Sequence, residues 1–185
     1  IGAQHGALGA DPIGVYARDG KLAASLDCYY SQMGATLAWS SQHLPELRTV
    51  YIQGQVYQDG GANAVQEVAA AMATAIAYLD ALIDQGFTID QAAKTIRFGF
   101  ALGANFFMEI AKLRAARMIW SQIVTAYGGS GDAAKINVAA TNSRFTMTAY
   151  DPYVNVLRAT TQAFSGVVGG VDAMEVIPFD AALGE

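Results

Sequence analysis

The sequence predicts a parallel α/β fold, the larger part of a (β/α)8 TIM-type barrel, and three observations lead there. Strand-like segments alternate with long helical patterns along the 185 residues. Strands joined through helices run parallel and cross over right-handedly. No Gly-x-Gly-x-x-Gly follows a strand-like segment, so an open dinucleotide-binding sheet lacks its fingerprint. A full barrel takes about 250 residues, so five strands and four long helices leave roughly three units out. The chain starts without Met and stops at FDAALGE, so a truncated single domain over residues 1–185 is expected.

The elements follow in order. Ile1 to Leu8 is a Gly- and Ala-softened first strand. Leu22, Leu26, Tyr29, Met33, Leu37 and Leu44 recur at helical spacing until Pro45. Arg48 to Val56, rich in β-branched and aromatic residues, is the second strand. Val65, Val68, Met72, Ile76, Leu79 and Ile83 mark a helix stopped by Gly86, and Thr88–Gln91 has the form of a capping box. Arg97 to Leu102 is the third strand, and a helix opens at the capping-type Asn105. Lys135 to Ala140 is the fourth strand. Asp151–Pro152, an N-cap acid before a first-turn proline, opens a helix striped by Tyr153, Leu157, Thr161, Phe164 and Val168. Val171 to Ile177 is the fifth strand.

Composition narrows the function classes. The chain is 53% apolar and 15% charged, which suits a packed domain rather than a disordered one. A net charge of −5 without a basic run opposes nucleic-acid binding. No charge-free apolar run approaches the roughly 20 residues of a membrane span. The amino end shows neither a basic n-region nor a cleavage pattern, so no signal peptide is expected. Cys28 is the single cysteine, which favours a cytoplasmic or organelle-matrix setting, the cytoplasm being the expectation.

Chemistry-bearing residues are sparse. His5 and His43 show no metal-ligand spacing; His43, near a helix end, reads as a solvated cap residue. Cys28 sits among apolar residues with no basic neighbour and is expected to be a buried small hydrophobe. GGSGD at 128–132 follows a helix rather than a strand and reads as a solvent loop. Barrel sites form where strands end. Here that means Gln58 and Asp59 after the second strand, and Asn142, Ser143 and Arg144 after the fourth, with Asp172 and Glu175 in the fifth. Arg144 opposite Asp59 or Glu175 would be a salt bridge or an anion clamp. The helix from Asn105 places Phe106, Ile110, Leu113 and Val124 on one stripe, while Phe107, Met108, Met118 and Ile119 point elsewhere. Arg117 falls within that stripe and needs a carboxylate or a wet interface. The helix before it carries no charge between Glu67 and Asp80 and is carpeted with Ala.

NFFMEIAKLRAAR at 105–117 and DGGANAVQEVA at 59–69 are similar to segments of the methylmalonyl-CoA mutase family. The resemblance runs from about Thr49 to Leu183 and makes the chain the C-terminal portion of a mutase-type barrel. In catalytic members a Tyr–His pair precedes the acidic stretch; Gln55 and Val56 stand there. Their Arg-Thr-His-x-Gln-Thr-Ser-Gly segment is matched by residues 137–144, without the Arg, His or Gln, and with Arg144 in place of Gly. Their Gln-Ser-Leu-His-Thr-Asn run becomes DAMEVI at 172–177, and Ala181 replaces an acid in the following turn. The Asp-x-His-x-x-Gly cobalamin-binding motif, which belongs to a separate domain, is absent. NSRFTMTAYDPYVNVLRATT, GGVDAMEVIPFDAAL and LGADPIG resemble the non-catalytic small subunit of the heterodimeric bacterial enzymes.

That resemblance implies a structural small subunit with no catalytic, cofactor-binding or metal residues of its own, and a vestigial pocket at Gln58, Asp59, Asn142 and Arg144. Adenosylcobalamin would be held by a large catalytic partner subunit that interconverts succinyl-CoA and methylmalonyl-CoA, as in propionate metabolism. Two other readings stay open: an active acyl-CoA mutase barrel with cobalamin from another domain, and an unrelated α/β enzyme clamping a small anion between Arg144 and Lys135. Open barrel edges would make the isolated chain self-associate.

Overall fold

A computed structural model describes residues 6–184. Five strands, β1 (Gly6–Ala10), β2 (Leu47–Gln53), β3 (Ile96–Leu102), β4 (Val138–Asn142) and β5 (Ala173–Glu175), pair in chain order, all parallel. The helices are α1 (Pro12–Asp19), α2 (Leu26–His43), α3 (Gln55–Asp59), α4 (Ala64–Asp84), α5 (Ile89–Thr95), α6 (Phe106–Ala126) and α7 (Val154–Gly169). Sequential order with one crossover direction curls the sheet into a half-barrel, the expected truncated TIM-type fold. The predicted amino-terminal strand overlaps β1 only from Gly6; its first five residues, His5 included, lie outside the described residues.

The core lies between sheet and helices. Val50 and Ile52 of β2, Phe98, Phe100 and Leu102 of β3, and Val138 of β4 point into it and are fully buried. Trp120 of α6 meets Phe98 edge-on at 5.0 Å between ring centroids. Alternate residues face the concave side, where Ala7, Tyr51, Arg97, Ala139 and Ala173 line an open hollow of about 330 Å³. The strands are therefore not apolar on both faces. By length and hydropathy α4 could cross a bilayer, yet half of that stretch is buried in this domain.

Several boundaries move for local reasons. β2 ends at Gln53 rather than Val56, because Gly54 turns the chain into α3. β4 runs Val138–Asn142 rather than Lys135–Ala140, and β5 shortens to three residues. Capping explains α4, where Asn63 and Gln66 form a reciprocal capping box. The Thr88–Gln91 box caps α5 as expected.

The two Asp-Pro pairs behave in opposite ways. At Asp151–Pro152 no side-chain cap forms and α7 starts only at Val154, so the expected N-cap is absent. At Asp11–Pro12 the signal opens α1, a helix the periodicity did not suggest. Asp11 is buried: one carboxylate oxygen accepts from Gly14 N at 3.0 Å and Tyr78 Oη at 2.6 Å, the other from Gln53 N at 2.8 Å. Tyr78 Oη in turn accepts from Ile13 N at 2.9 Å. One carboxylate thus joins β1, α1, β2 and α4, and burial followed by the Asp11 charge pushes the Tyr78 phenol well above its usual range.

α7 inverts its expected stripe. Tyr153, Leu157, Phe164 and Val168 are exposed, and Asn155, Ala159, Gln162, Ser165, Gly166 and Gly169 are buried. The buried face accommodates close packing, since a Cβ at Gly166 would sit 2.8 Å from Leu102. Its polar groups are satisfied: Gln162 Nε2 donates to Thr146 Oγ1 at 2.7 Å, and Asn155 Nδ2 to the Thr148 and Phe179 carbonyls at 2.8 Å each. Arg117 is half-buried and meets no carboxylate among the described residues. It donates to the Gly169 carbonyl at 3.0 Å and to the Gly170 carbonyl, capping orphan acceptors at the end of α7. Cys28 is exposed rather than buried.

These contrasts predict that Asp11→Ala lowers unfolding stability by about 2–4 kcal/mol, through a lost cap and unpartnered buried donors. Asp151→Ala should stay within about 0.5 kcal/mol, as at an uncoupled surface position. Urea titrations of both variants check the pair; equal losses would contradict it.

Candidate functional site

The carboxyl ends of β2, β3 and β4 meet in one region. Gly54 N donates to the Gly99 carbonyl at 2.8 Å, the last rung between β2 and β3. A Cβ at Gly54 would lie 2.7 Å from that carbonyl oxygen, so glycine permits the approach. Beyond it β2 departs into α3, and Ala101, two residues further along β3, has lost its strand partner on that side.

Two buried side chains replace the strand. Glu67, in the first turn of α4, accepts from Ala101 N at 2.8 Å. Lys112 of α6 donates to the Ala101 carbonyl at 2.5 Å and to Glu67 at 2.7 Å. Glu109, one helical turn before Lys112, completes the cluster through an ion pair with the same ammonium. Its Oε2 has no hydrogen bond of good geometry among the described residues. Burial pushes the Glu67 carboxyl up; Lys112 and the Ala101 N–H oppose that, and the Glu109 charge adds to it. The cluster floors a cleft of about 480 Å³ whose walls include Gln58, Asn63, Gly103, Asn105 and Met108.

The expected vestigial pocket is only partly assembled. Gln58 and Ser143 meet, with Nε2 donating to the hydroxyl at 2.7 Å and the hydroxyl donating to Oε1 at 2.9 Å. This clasp ties α3 to the end of β4 across β3. Asn142 instead turns into the helix layer, donating to Gln162 Oε1 at 2.9 Å and accepting from Ile177 N at 2.9 Å. Asp59 and Arg144 are both exposed and make no ion pair with each other or with Glu175 among the described residues, contrary to the expected salt bridge. They feel each other at longer range. Partial burial pushes the Asp59 carboxyl up, and the Arg144 charge pulls it back.

Lys135 precedes β4 and binds Asp132 at 3.0 Å, whereas Arg144 follows β4. The two cations stand at opposite ends of a strand, so they cannot clamp one small anion. Asp172 precedes β5, where it accepts from Val138 N at 2.7 Å, a structural clasp. Gln55 and Val56 lie on α3, with Val56 lining a shallow hollow beside Ala17 and Gln66. His43 is exposed at the end of α2, stacked on Trp39, as expected of a cap residue.

Sequence reasoning missed Glu67, Glu109 and Lys112. A signal was present: an acid and a lysine three apart within an apolar helical stripe, and a lone acid opening an Ala-rich helix.

Comparison with known proteins bears on this geometry. The family model described as methylmalonyl-CoA mutase matches residues 3–185. The chain belongs to the methylmalonyl-CoA mutase family. Among its relatives, the methylmalonyl-CoA mutase small subunit of Streptomyces virginiae is 38% identical over 98% of this chain and 29% of its own length. The small subunit of Porphyromonas gingivalis is 41% identical over 76% of this chain and 23% of its own length. The methylmalonyl-CoA mutase of Escherichia coli is 37% identical over 80% and 21%. The chain thus spans less than a third of these relatives, and the family match reaches further toward the amino end than Thr49.

Removing the Arg144 charge by Arg144→Ala should raise the Asp59 pKa further, because the cation that pulls it down is gone. A carboxyl-carbon NMR titration reads this directly; an unchanged or lowered Asp59 midpoint would show that the two do not interact.

Proposed function

We propose that this chain is the barrel region of a non-catalytic small mutase subunit. Its large partner subunit carries the adenosylcobalamin-dependent interconversion of succinyl-CoA and methylmalonyl-CoA. The observation that carries this reading is the chemistry at the strands' carboxyl ends, where barrels place catalysis. The positions matching catalytic stations hold Gln55, Val56, Asn137, Ala139 and Thr141, which move no protons at neutral pH. Among the described residues His43 is the one imidazole, and it sits just ahead of β2, at the opposite end of the sheet. Glu67 and Glu109 are committed to Lys112 and, for Glu67, to the Ala101 amide. The small-subunit names of several relatives support the same assignment.

Adenosylcobalamin does not fit these residues as ligands to its metal. Imidazole is the commonest protein metal ligand, and the described residues offer none at that end. In the proposed reading the partner subunit holds the group. The same reading places the complex in the cytoplasm; recovery from another fraction on cell lysis would overturn that part.

The test is restoration. Val56→His returns an imidazole to one station, yet groups that act as a unit are strongly non-additive, so one repaired member gains almost nothing. The full-length natural protein carrying Val56→His, supplied with adenosylcobalamin but no partner, should show no methylmalonyl-CoA isomerisation. Turnover above the blank would overturn the non-catalytic assignment.

A further inference from the structure

The Glu67–Lys112–Glu109 cluster is out of electrical balance. Two carboxyls, one in the first turn of α4 and one in the first turn of α6, share a single ammonium. The side chains of Glu67 and Lys112 are 0% and 1% exposed, and that of Glu109 is 8% exposed. With every group ionised, one negative charge stays in excess at the floor of the cleft. No further charged side chain lines that cleft among the described residues: its walls supply Gln58, Asn63, Asn105 and Thr146. From β3 come only the Ala101 amide and carbonyl. Asp59, at the end of α3, is exposed and feels Arg144. Arg158, the one charged residue of α7, bonds Asn155.

The two carboxyls are not equivalent. Glu67 accepts from Ala101 N at 2.8 Å and from Lys112 at 2.7 Å, bonds that favour a charged carboxylate. Glu109 shares the same ammonium, but its Oε2 receives no hydrogen bond of good geometry among the described residues. Its Oε1 turns toward Gly103, where a Cβ would lie 3.1 Å away. Helix dipoles favour negative charge in a first turn, yet they bring no donor to these oxygens. A buried carboxylate short of donors takes up a proton rather than stay ionised. Burial also pushes the Glu67 carboxyl up, and the Glu109 charge adds to it against Lys112 and the Ala101 N–H. Carboxyls linked this closely titrate as a pair.

We propose that the cluster is a pH-sensitive clasp: around neutral pH its two carboxyls share one proton, Lys112 keeps its charge, and loss of that proton to solvent weakens the hold of α6 on α4. The clasp lies within this chain and operates whichever subunit the chain belongs to. Its sign follows from linkage. A carboxyl that holds its proton more tightly when closed than when open stabilises the closed form in acid. That contribution is lost as the pH rises from the ordinary carboxylate range, about 4, to the midpoint of the closed form.

An infrared pH titration of the full-length protein, carrying carboxyl-labelled glutamate, reads the proton. At neutral pH the wild type should show a protonated-carboxyl C=O band that Glu109→Gln and Glu67→Gln both lack, and the band should vanish reversibly as the pH rises. Amide hydrogen exchange across the first turns of α6, measured by mass spectrometry, reads the clasp. The ratio of wild-type to Glu109→Gln exchange should climb by up to about tenfold per pH unit and level off at the midpoint of the band. Superimposable spectra of wild type and Glu109→Gln at neutral pH would overturn the proposal, since both carboxyls would then be ionised. A band without the climb in exchange would overturn the clasp. Should Glu109→Gln fail to fold, Glu67→Gln and the wild-type titration decide, and a wild type with no glutamic acid band that titrates reversibly would overturn it.

Discussion

Ala101 is where the half-barrel would come apart without help. β2 leaves the sheet at Gly54 to make α3, and β3 continues with a backbone amide and carbonyl facing the gap. A buried ion pair is weak evidence for stability when an apolar pair of similar volume would serve as well. Here it would not serve, because an unpaired buried peptide group itself carries a penalty of about 1–3 kcal/mol. Glu67 and Lys112 satisfy the amide and the carbonyl, and each neutralises the other. The cluster also bridges α4 and α6, since Glu67 comes from one helix and Lys112 and Glu109 from the other, and it floors the cleft.

Much of the fold was legible in the sequence. Strand–helix alternation, the Thr88 capping box and the α6 stripe follow from periodicity and cap chemistry, which are local. What was not legible depends on partners distant in the chain. The α7 stripe had the right period but pointed outward, because spacing fixes the angle between two faces without saying which one meets the sheet. Buried Gln162 and Asn155 find partners on the β4–α7 connection, Thr146 and Thr148, a match no helical wheel displays. Likewise Asp11 and Asp151 precede identical residues, and only Asp11 has Tyr78 and Gln53 N nearby to hold it in place.

The candidate site divides along the same line. Residues chosen for their place after a strand, Gln58 and Ser143, do come together, while Asn142 belongs to the helix layer and Arg144 to solvent. Glu67, Glu109 and Lys112 escaped notice because charges inside apolar helices read as interruptions. Glu67 and Lys112 are instead the groups that the departure of β2 requires, and Glu109 pairs with the same lysine. A domain whose buried carboxylates are held by its own backbone, Tyr78 and Lys112 has few groups left for moving protons, as the proposed scaffolding role requires.

Amide hydrogen exchange at Ala101 tests the central claim most directly, compared between the wild type and Glu67→Ala. The reference is Phe100, whose amide points toward β4, as does that of Phe98, which donates to the Asn137 carbonyl. If Glu67 stands in for the missing strand, protection at Ala101 should fall at least about tenfold more than at Phe100, a locally opened rung rather than global unfolding. Equal loss at both amides, or unchanged protection at Ala101, would contradict the account.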